Sequence, residues 1–418
     1  MKLIAAASFI GTTVGFFDFL IYSTAAALVF PTVFFPHLSH AIATMASMAT
    51  FATAFLSRPL GAVVLGNLGD RLGRKKALAA SLLIMAISTV TVGLVPSTAT
   101  IGVAAPLILV VLRLLQGFAL GGEWAGSALL SAEYAPAAKR GFYGMFTLVG
   151  GEAAVVLASL TFLGVNYTIG ENSPAFMQWG WRLPFLLSAA FIGVGLYVRL
   201  NIDETPVFAE EEAGQMVPKA PLAELLRLQR REIALAAGSC VGYFSFPCMV
   251  SSYLATRAHT DLGYSRNIIL FVGVVAGLTS VVFVAVSATL CDRVGRRRMM
   301  LIGWTACLPW SFVVIPLMDT GKPICYAVAI VGMQALAEFA TGPIAAFIPE
   351  LFATSYRYSA TALAMNLAGV VGGAVPPLIA GALQVTYGGW AVGLMLAVFA
   401  FTSLVCTYLL PETNGTAF

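Results

Sequence analysis

Gly66-Asn67-Leu68-Gly69-Asp70-Arg71-Leu72-Gly73-Arg74-Lys75-Lys76 is the stretch that decides how this chain is read. A looser copy, Leu290-Cys291-Asp292-Arg293-Val294-Gly295-Arg296-Arg297-Arg298, has its aspartate 222 residues later (292 − 70), about half of the 418-residue chain. Each copy ends one long apolar run and begins another. Glu133 stands seven residues before Arg140, and Glu350 seven before Arg357. Glu204-Thr205 and Glu412-Thr413 each follow an apolar run. Three signals at nearly one period indicate a duplicated core. Basic residues gathering in loops would not by themselves repeat the aspartate, glycine and glutamate positions.

The chain is 59% hydrophobic and 10% charged, with a mean hydropathy of +0.89. A soluble domain carries about a quarter charged residues, so this one has too little polar surface for water. A spanning helix takes roughly 20 apolar residues. Twelve such runs are expected near 4–30, 41–67, 77–96, 104–132, 140–164, 182–200, 232–256, 264–290, 299–318, 324–348, 358–382 and 388–410. Alternating short strands of a barrel do not occur. The expected architecture is an all-α membrane protein of two pseudo-symmetric six-helix bundles, 1–200 and 232–418. The polar stretch 201–231 joins them through a short amphipathic helix on Leu222, Leu225 and Leu226.

Charge placement sets the expected topology. With the N-terminus inside, one set of alternate loops collects most of the basic residues, among them Arg71, Arg74, Lys75, Lys76, Arg140, Arg293, Arg296, Arg297 and Arg298. The other set holds only Arg182, Arg257, Arg266 and Lys322. The positive-inside rule then puts both termini in the cytoplasm of a multi-pass plasma (inner) membrane protein. The basic runs read as topology signals, so no nucleic-acid partner is expected. The first apolar run is too long for a signal peptide and carries Asp18 in its middle. Six scattered cysteines and three ungrouped histidines give no metal site, no cofactor is indicated, and no catalytic cluster points to an enzyme.

At the repeated basic loop the chain resembles the major facilitator superfamily. Further motifs narrow the resemblance to its metabolite:proton symporter family: Gly15-Phe16-Phe17-Asp18-Phe19 in the first span, Arg58-Pro59-Leu60-Gly61 in the second, Arg113-Leu114-Leu115-Gln116-Gly117 and Gly121-Gly122-Glu123-Trp124 in the fourth, and Glu204-Thr205-Pro206 after the sixth. The family usually has glutamate at the place of Gly15, so one carboxylate is missing from the first span. The resemblance implies a monomer working by alternating access, whose partners are a small-molecule substrate, protons and the lipid bilayer. It implies uptake of a small organic acid coupled to protons. A zwitterionic osmolyte such as a betaine or proline is one alternative, and a proton-driven drug or metabolite exporter another.

Ionisable residues inside spans are costly and usually functional. Here they are Asp18, Arg58, Arg113, Glu123, Glu152 and Glu338. Two carboxylates can balance the two arginines, which leaves a surplus able to carry protons. The expected proton-coupling set is therefore Asp18, Glu123, Glu152 and Glu338, with Asp18 and Glu123 foremost. Arginine binds a carboxylate with two parallel bonds, so Arg58 and Arg113 are the expected substrate ligands. At about 100° per residue, Gln116 and Glu123 share one side of the fourth span, roughly 20° apart. Tyr22 and Tyr243 could add hydroxyls. The resemblance places spans 1, 4, 7 and 10 around a central cavity, with Asp18, Arg113, Glu123 and Glu338 facing it. The expected inner gate comprises Asp70, Arg71, Arg74, Glu133, Arg140, Asp292, Arg293, Arg296, Glu350 and Arg357. In it Asp70 sits at the N-terminus of the eleventh span, Arg74 pairs with Asp70 or Glu133, and Arg296 with Glu350.

Overall fold

A computed structural model describes residues 2–72, 74–170, 173–200, 229–352 and 357–415. The described residues include twelve helices long and apolar enough to cross a membrane. They are α1 (Ile4–Leu28), α2 (Ile42–Gly66), α3 (Lys76–Leu94), α4 (Ala104–Tyr134), α5 (Arg140–Ile169), α6 (Gly180–Tyr197), α7 (Arg230–Thr260), α8 (Arg266–Val294), α9 (Arg296–Asp319), α10 (Pro323–Glu350), α11 (Arg357–Tyr387) and α12 (Gly389–Leu409). Helix is the form such runs must take in lipid, where every backbone N–H and C=O needs a partner within its own segment. Large side chains such as Leu56, Ile87, Val282 and Phe401 are exposed on the outer helix faces, where lipid rather than water suits them. The expected surface helix of the central stretch lies in 201–228, outside the described residues.

The repeat is visible in the packing. α2 packs chiefly on α4, and its counterpart α8 packs on α10. The first six helices meet the last six along α5–α8 and α2–α11. Close approach is the rule between α2 and α4. A Cβ on Gly117 would stand 2.0 Å from the Ala54 carbonyl oxygen, and one on Gly61 1.9 Å from that of Phe118. Only the absence of a side chain lets the two backbones touch there.

Two helices that run between the halves are irregular. α7 contains Pro247 and then a π-turn at Val250–Leu254. α11 contains a π-turn at Gly369–Ala374, directly before Pro376 and Pro377. Proline lacks an N–H and crowds the carbonyl four residues back. Widening the helix by one residue is one way to accommodate it. The irregularity of α11 falls on the glycines just before its two prolines.

The glycine contacts separate packing from tolerance. Gly117→Val should destabilise the protein by about 3 kcal/mol or more, because the colliding partner is backbone. Gly151→Ala, whose Cβ would meet nothing within 4 Å, should unfold like the parent. Thermal unfolding of the detergent-purified variants measures both.

Candidate functional site

Two guanidinium groups stand side by side in the middle of the molecule. Arg58 of α2 is 4% exposed and Arg113 of α4 is 0% exposed. The Phe19 ring lies 4.6 Å from the first and 4.4 Å from the second. Arg58 also faces Phe55 at 4.4 Å and Phe244 of α7 at 5.8 Å, and Arg113 faces Tyr22 at 4.2 Å. The aromatic faces are the electron-rich surroundings that a dehydrated cation prefers. Among the described residues neither arginine has a carboxylate in ion-pair contact. Arg58 Nε and Arg113 Nη2 have no hydrogen-bond partner. The expectation that two carboxylates balance the two arginines is not met by contact.

Asp18 is linked to Arg113 at a distance. Arg113 Nη1 donates to Gln116 Oε1 at 3.0 Å, Gln116 Nε2 to Thr89 Oγ1 at 2.8 Å, and Thr89 Oγ1 to Asp18 Oδ2 at 3.0 Å. Ser188 of α6 donates to the other carboxylate oxygen at 2.5 Å. Every donor in this chain points toward Asp18, so a row of aligned dipoles joins the positive group to the negative one. Asp18 thus turns toward α3 and α6 rather than toward the cavity between the halves. Gln116 lies between Arg113 and Thr89, and the Tyr22 hydroxyl is occupied by Thr50 at 2.9 Å.

The other carboxylates lie apart from the arginines. Glu152 of α5 and Glu338 of α10 are buried and are each other's charged neighbour across the half–half boundary. Thr341 donates to Glu338 Oε2 at 2.9 Å, and Ser280 and Gln334 are the polar neighbours of Glu152. Glu123 of α4 lies against Gly15 of α1. Tyr243 neighbours both Arg58 and this acidic region, and its ring centroid lies 6.2 Å from that of Trp124. A small cavity opens at Arg58, lined also by Phe16, Trp124, Phe244, Met365 and Asn366.

Hydrogen bonds join the halves at both ends of the molecule. At the basic-loop end, Asp292 accepts from the Gly141 and Phe142 N–H groups at 2.9 and 3.0 Å, capping α5. An acidic side chain there is favoured by the helix dipole. Arg140 reaches Glu350 at 3.4 Å, and Arg296 Nε lies 2.9 Å from the same carboxylate. Arg357 donates to the carbonyls of Pro349 and Phe352 at 3.1 and 3.2 Å, while Arg293 is exposed. Glu133 is half-buried near the end of α4. The side chains of Asp70, Arg71 and Arg74 lie outside the described residues. At the opposite end Ser23 meets Ser251 at 3.2 Å, and Arg266 Nε donates to the Leu28 carbonyl at 3.3 Å. Contacts between the halves are thus present at both ends.

A Major Facilitator Superfamily sequence model matches residues 9–377. The chain belongs to this superfamily, in its metabolite:proton symporter family. Inner membrane metabolite transport protein YhjE of Escherichia coli (strain K12) is 42% identical, over 98% of this chain and 94% of its own length. The Shikimate transporter of the same strain is 35% identical over 98% and 94%, and its Proline/betaine transporter 33% over 99% and 83%. A crystal structure of D-xylose-proton symporter has the same fold, with a TM-score of 0.76 at 20% identity, covering 100% of this chain and 99% of that one. This facilitator is therefore a multi-pass metabolite transporter related to an inner-membrane protein, and not an enzyme.

Three features of the facilitator escape the sequence. Arg257 counts there as a loop charge, but it lies in the last turn of α7 and pairs with Asp319 at 2.6 Å. Asn366, whose amide donates to the Gly121 carbonyl at 2.7 Å, has no charge to mark it. The Glu412-Thr413 pair serves as a period marker in the sequence, yet both side chains enter the closed end. Glu412 accepts from the Arg296 and Arg297 N–H groups at 2.9 and 3.2 Å, and Thr413 donates to Glu350 at 2.6 Å. Gly295 fits this arrangement twice, with φ +108° and with no Cβ to strike Glu412 Oε2 at 2.6 Å.

Glu350 is the shared anion of the closed end. Glu350→Gln should cost about 3 kcal/mol or more, because it removes the anion that two buried arginines share. Thermal unfolding should fall accordingly, and maleimide labelling of cysteines placed between α5 and α8 at that end should rise. Equal stability and labelling would show that the ion pairs do not hold the end shut.

Proposed function

We propose that this chain takes up a small organic-acid metabolite together with protons, by alternating access at the cavity beside Arg58. The observation that carries this reading is the pair of buried arginines with no carboxylate in ion-pair contact among the described residues. Burying an unpaired cation is expensive, and the expense is offset when an anion arrives to share it. A carboxylate held by two nearby guanidinium groups meets that requirement. Asp18, acting through Thr89 and Gln116, serves in this reading as the fixed counter-charge that orients Arg113.

Protons fall to the separate acidic region. Two neighbouring carboxylates in a dry interior resist being ionised together, which favours a proton on one of them. Glu152 from one half and Glu338 from the other form such a pair, so relative movement of the halves changes its hold on the proton. Glu123 belongs to the same acidic set. The basic-loop end is then the cytoplasmic gate, both termini lie in the cytoplasm, and a single chain with rocking halves 1–200 and 232–418 is the working unit. Uptake of a zwitterion is the second reading. It is favoured by the aromatic rings of Trp124 and Phe244 in the cavity and of Tyr243 near the acids, and by the name of the proline/betaine relative.

Transport in proteoliposomes tests both parts. Arg58→Lys and Arg113→Lys keep the charge but lose the fork, and each should weaken acid binding by at least about tenfold at unchanged membrane level. Asp18→Asn should behave like Arg113→Lys. Wild-type affinity in all three would remove the anion reading, with shikimate and glycine betaine as the first probes.

Glu152→Gln and Glu338→Gln should retain substrate exchange and lose accumulation driven by an imposed proton gradient. If both accumulate substrate normally, the pair carries no proton.

A further inference from the structure

We infer that Gly15 is a positioning residue for the Glu123 carboxylate, its missing side chain forming the seat in which that carboxylate rests against α1. A Cβ at residue 15 would stand 2.6 Å from Glu123 Oε1, 2.8 Å from Cδ and 2.8 Å from Oε2. The whole carboxylate group therefore lies over the Gly15 Cα. Glu123 is only 2% exposed, and Gly15 is buried. The one acid of α1 itself, Asp18, turns away to Thr89 and Ser188. So α1 offers Glu123 bare backbone at a point where any side chain would displace it.

The type of collision decides what a substitution does. At Gly61 or Gly117 a Cβ would strike backbone oxygen, which cannot retreat. At Gly15 it strikes the far end of a flexible side chain, so the helices can stay in place while the carboxylate swings off α1. The groups placed beside it are Asp18 on α1, its charged neighbour, and, at the preceding residue of α4, the Gly122 carbonyl that accepts from the Tyr358 hydroxyl of α11 at 2.8 Å. Moving the carboxylate changes its distance to each of them. A methyl group at residue 15 is therefore a selective perturbation of one acid.

The transport arm of the test rests on the proton-coupled reading, and the spectroscopic arm does not. Infrared difference spectra between acid and neutral pH, on purified transporter in liposomes, follow carboxyl bands, and Glu123→Gln assigns the band of residue 123. Gly15→Ala should reach the membrane at the parental level, shift that band and keep exchange of shikimate or glycine betaine. It should lose gradient-driven accumulation by at least about tenfold, as expected for a displaced functional group. Gly15→Ala/Glu123→Asp, with a carboxylate one methylene shorter, should regain accumulation, whereas Glu123→Asp alone should not exceed the parent. An unshifted band with parental accumulation in Gly15→Ala overturns the assignment. So does loss of both Gly15 variants from the membrane, which would make Gly15 a packing residue only. If Glu123 gives no titrating band, accumulation decides alone. A shifted band in a transporter whose parent ignores the proton gradient would uphold the seat and remove proton coupling.

Discussion

Charge separation inside an apolar bundle is the constraint on which the rest of this structure depends. Arg58 and Arg113, on α2 and α4, sit among aromatic faces, while Glu152 of α5 and Glu338 of α10 are charged neighbours elsewhere in the interior. A direct Arg–Glu bridge would satisfy both groups and lock the helices together. Among the described residues the fold makes no such bridge, and Tyr243 neighbours both groups, so each site stays incomplete. Incomplete sites in a dry interior are what make a protein respond to a ligand, because the arriving group alters the balance between conformations.

The duplication supplies the movable frame around those charges. Equivalent helices pack equivalently, α2 on α4 and α8 on α10, and the half–half contacts α5–α8 and α2–α11 are related in the same way. The closed end is nevertheless unequal in its chemistry. The second half contributes Asp292, Glu350, Glu412 and Arg296, and the first half meets them with Arg140 and two N–H groups of α5. Helix dipole, ion pair and tail therefore converge on one small region, and closure there is a cooperative property of several weak contacts.

Fold and membrane character were legible because they are written in averages. Apolar runs of spanning length, a repeated basic turn and lopsided loop charge do not depend on where any one side chain points. The site was legible only as a set of residue types. Asp18 looked like a cavity acid because helix order alone cannot tell that it turns toward Thr89 and Ser188. Glu152 and Glu338 looked less promising because their meeting requires α5 and α10 to touch across the two halves. Charge arithmetic paired arginines with acids, whereas aromatic rings had taken that place. Asn366 and the tail threonine carry no charge and left no mark in the sequence.

The π-turns of α7 and α11 have a consequence for rotation. A π-turn is one residue more than the α-helix needs, and one residue is about 100° of helical twist. Were the turn at Val250–Leu254 to relax to α, the segment from Ala255 to Thr260 would swivel by that angle as a unit. Such a swivel would carry Arg257 off Asp319 and Thr256 off the Ala27 carbonyl, which it meets at 3.4 Å. The same conversion at Gly369–Ala374 would turn the prolines beyond it. Two screw-like joints thus sit at the level of the half–half boundary, and each can open the far end of its helix without disturbing the near one.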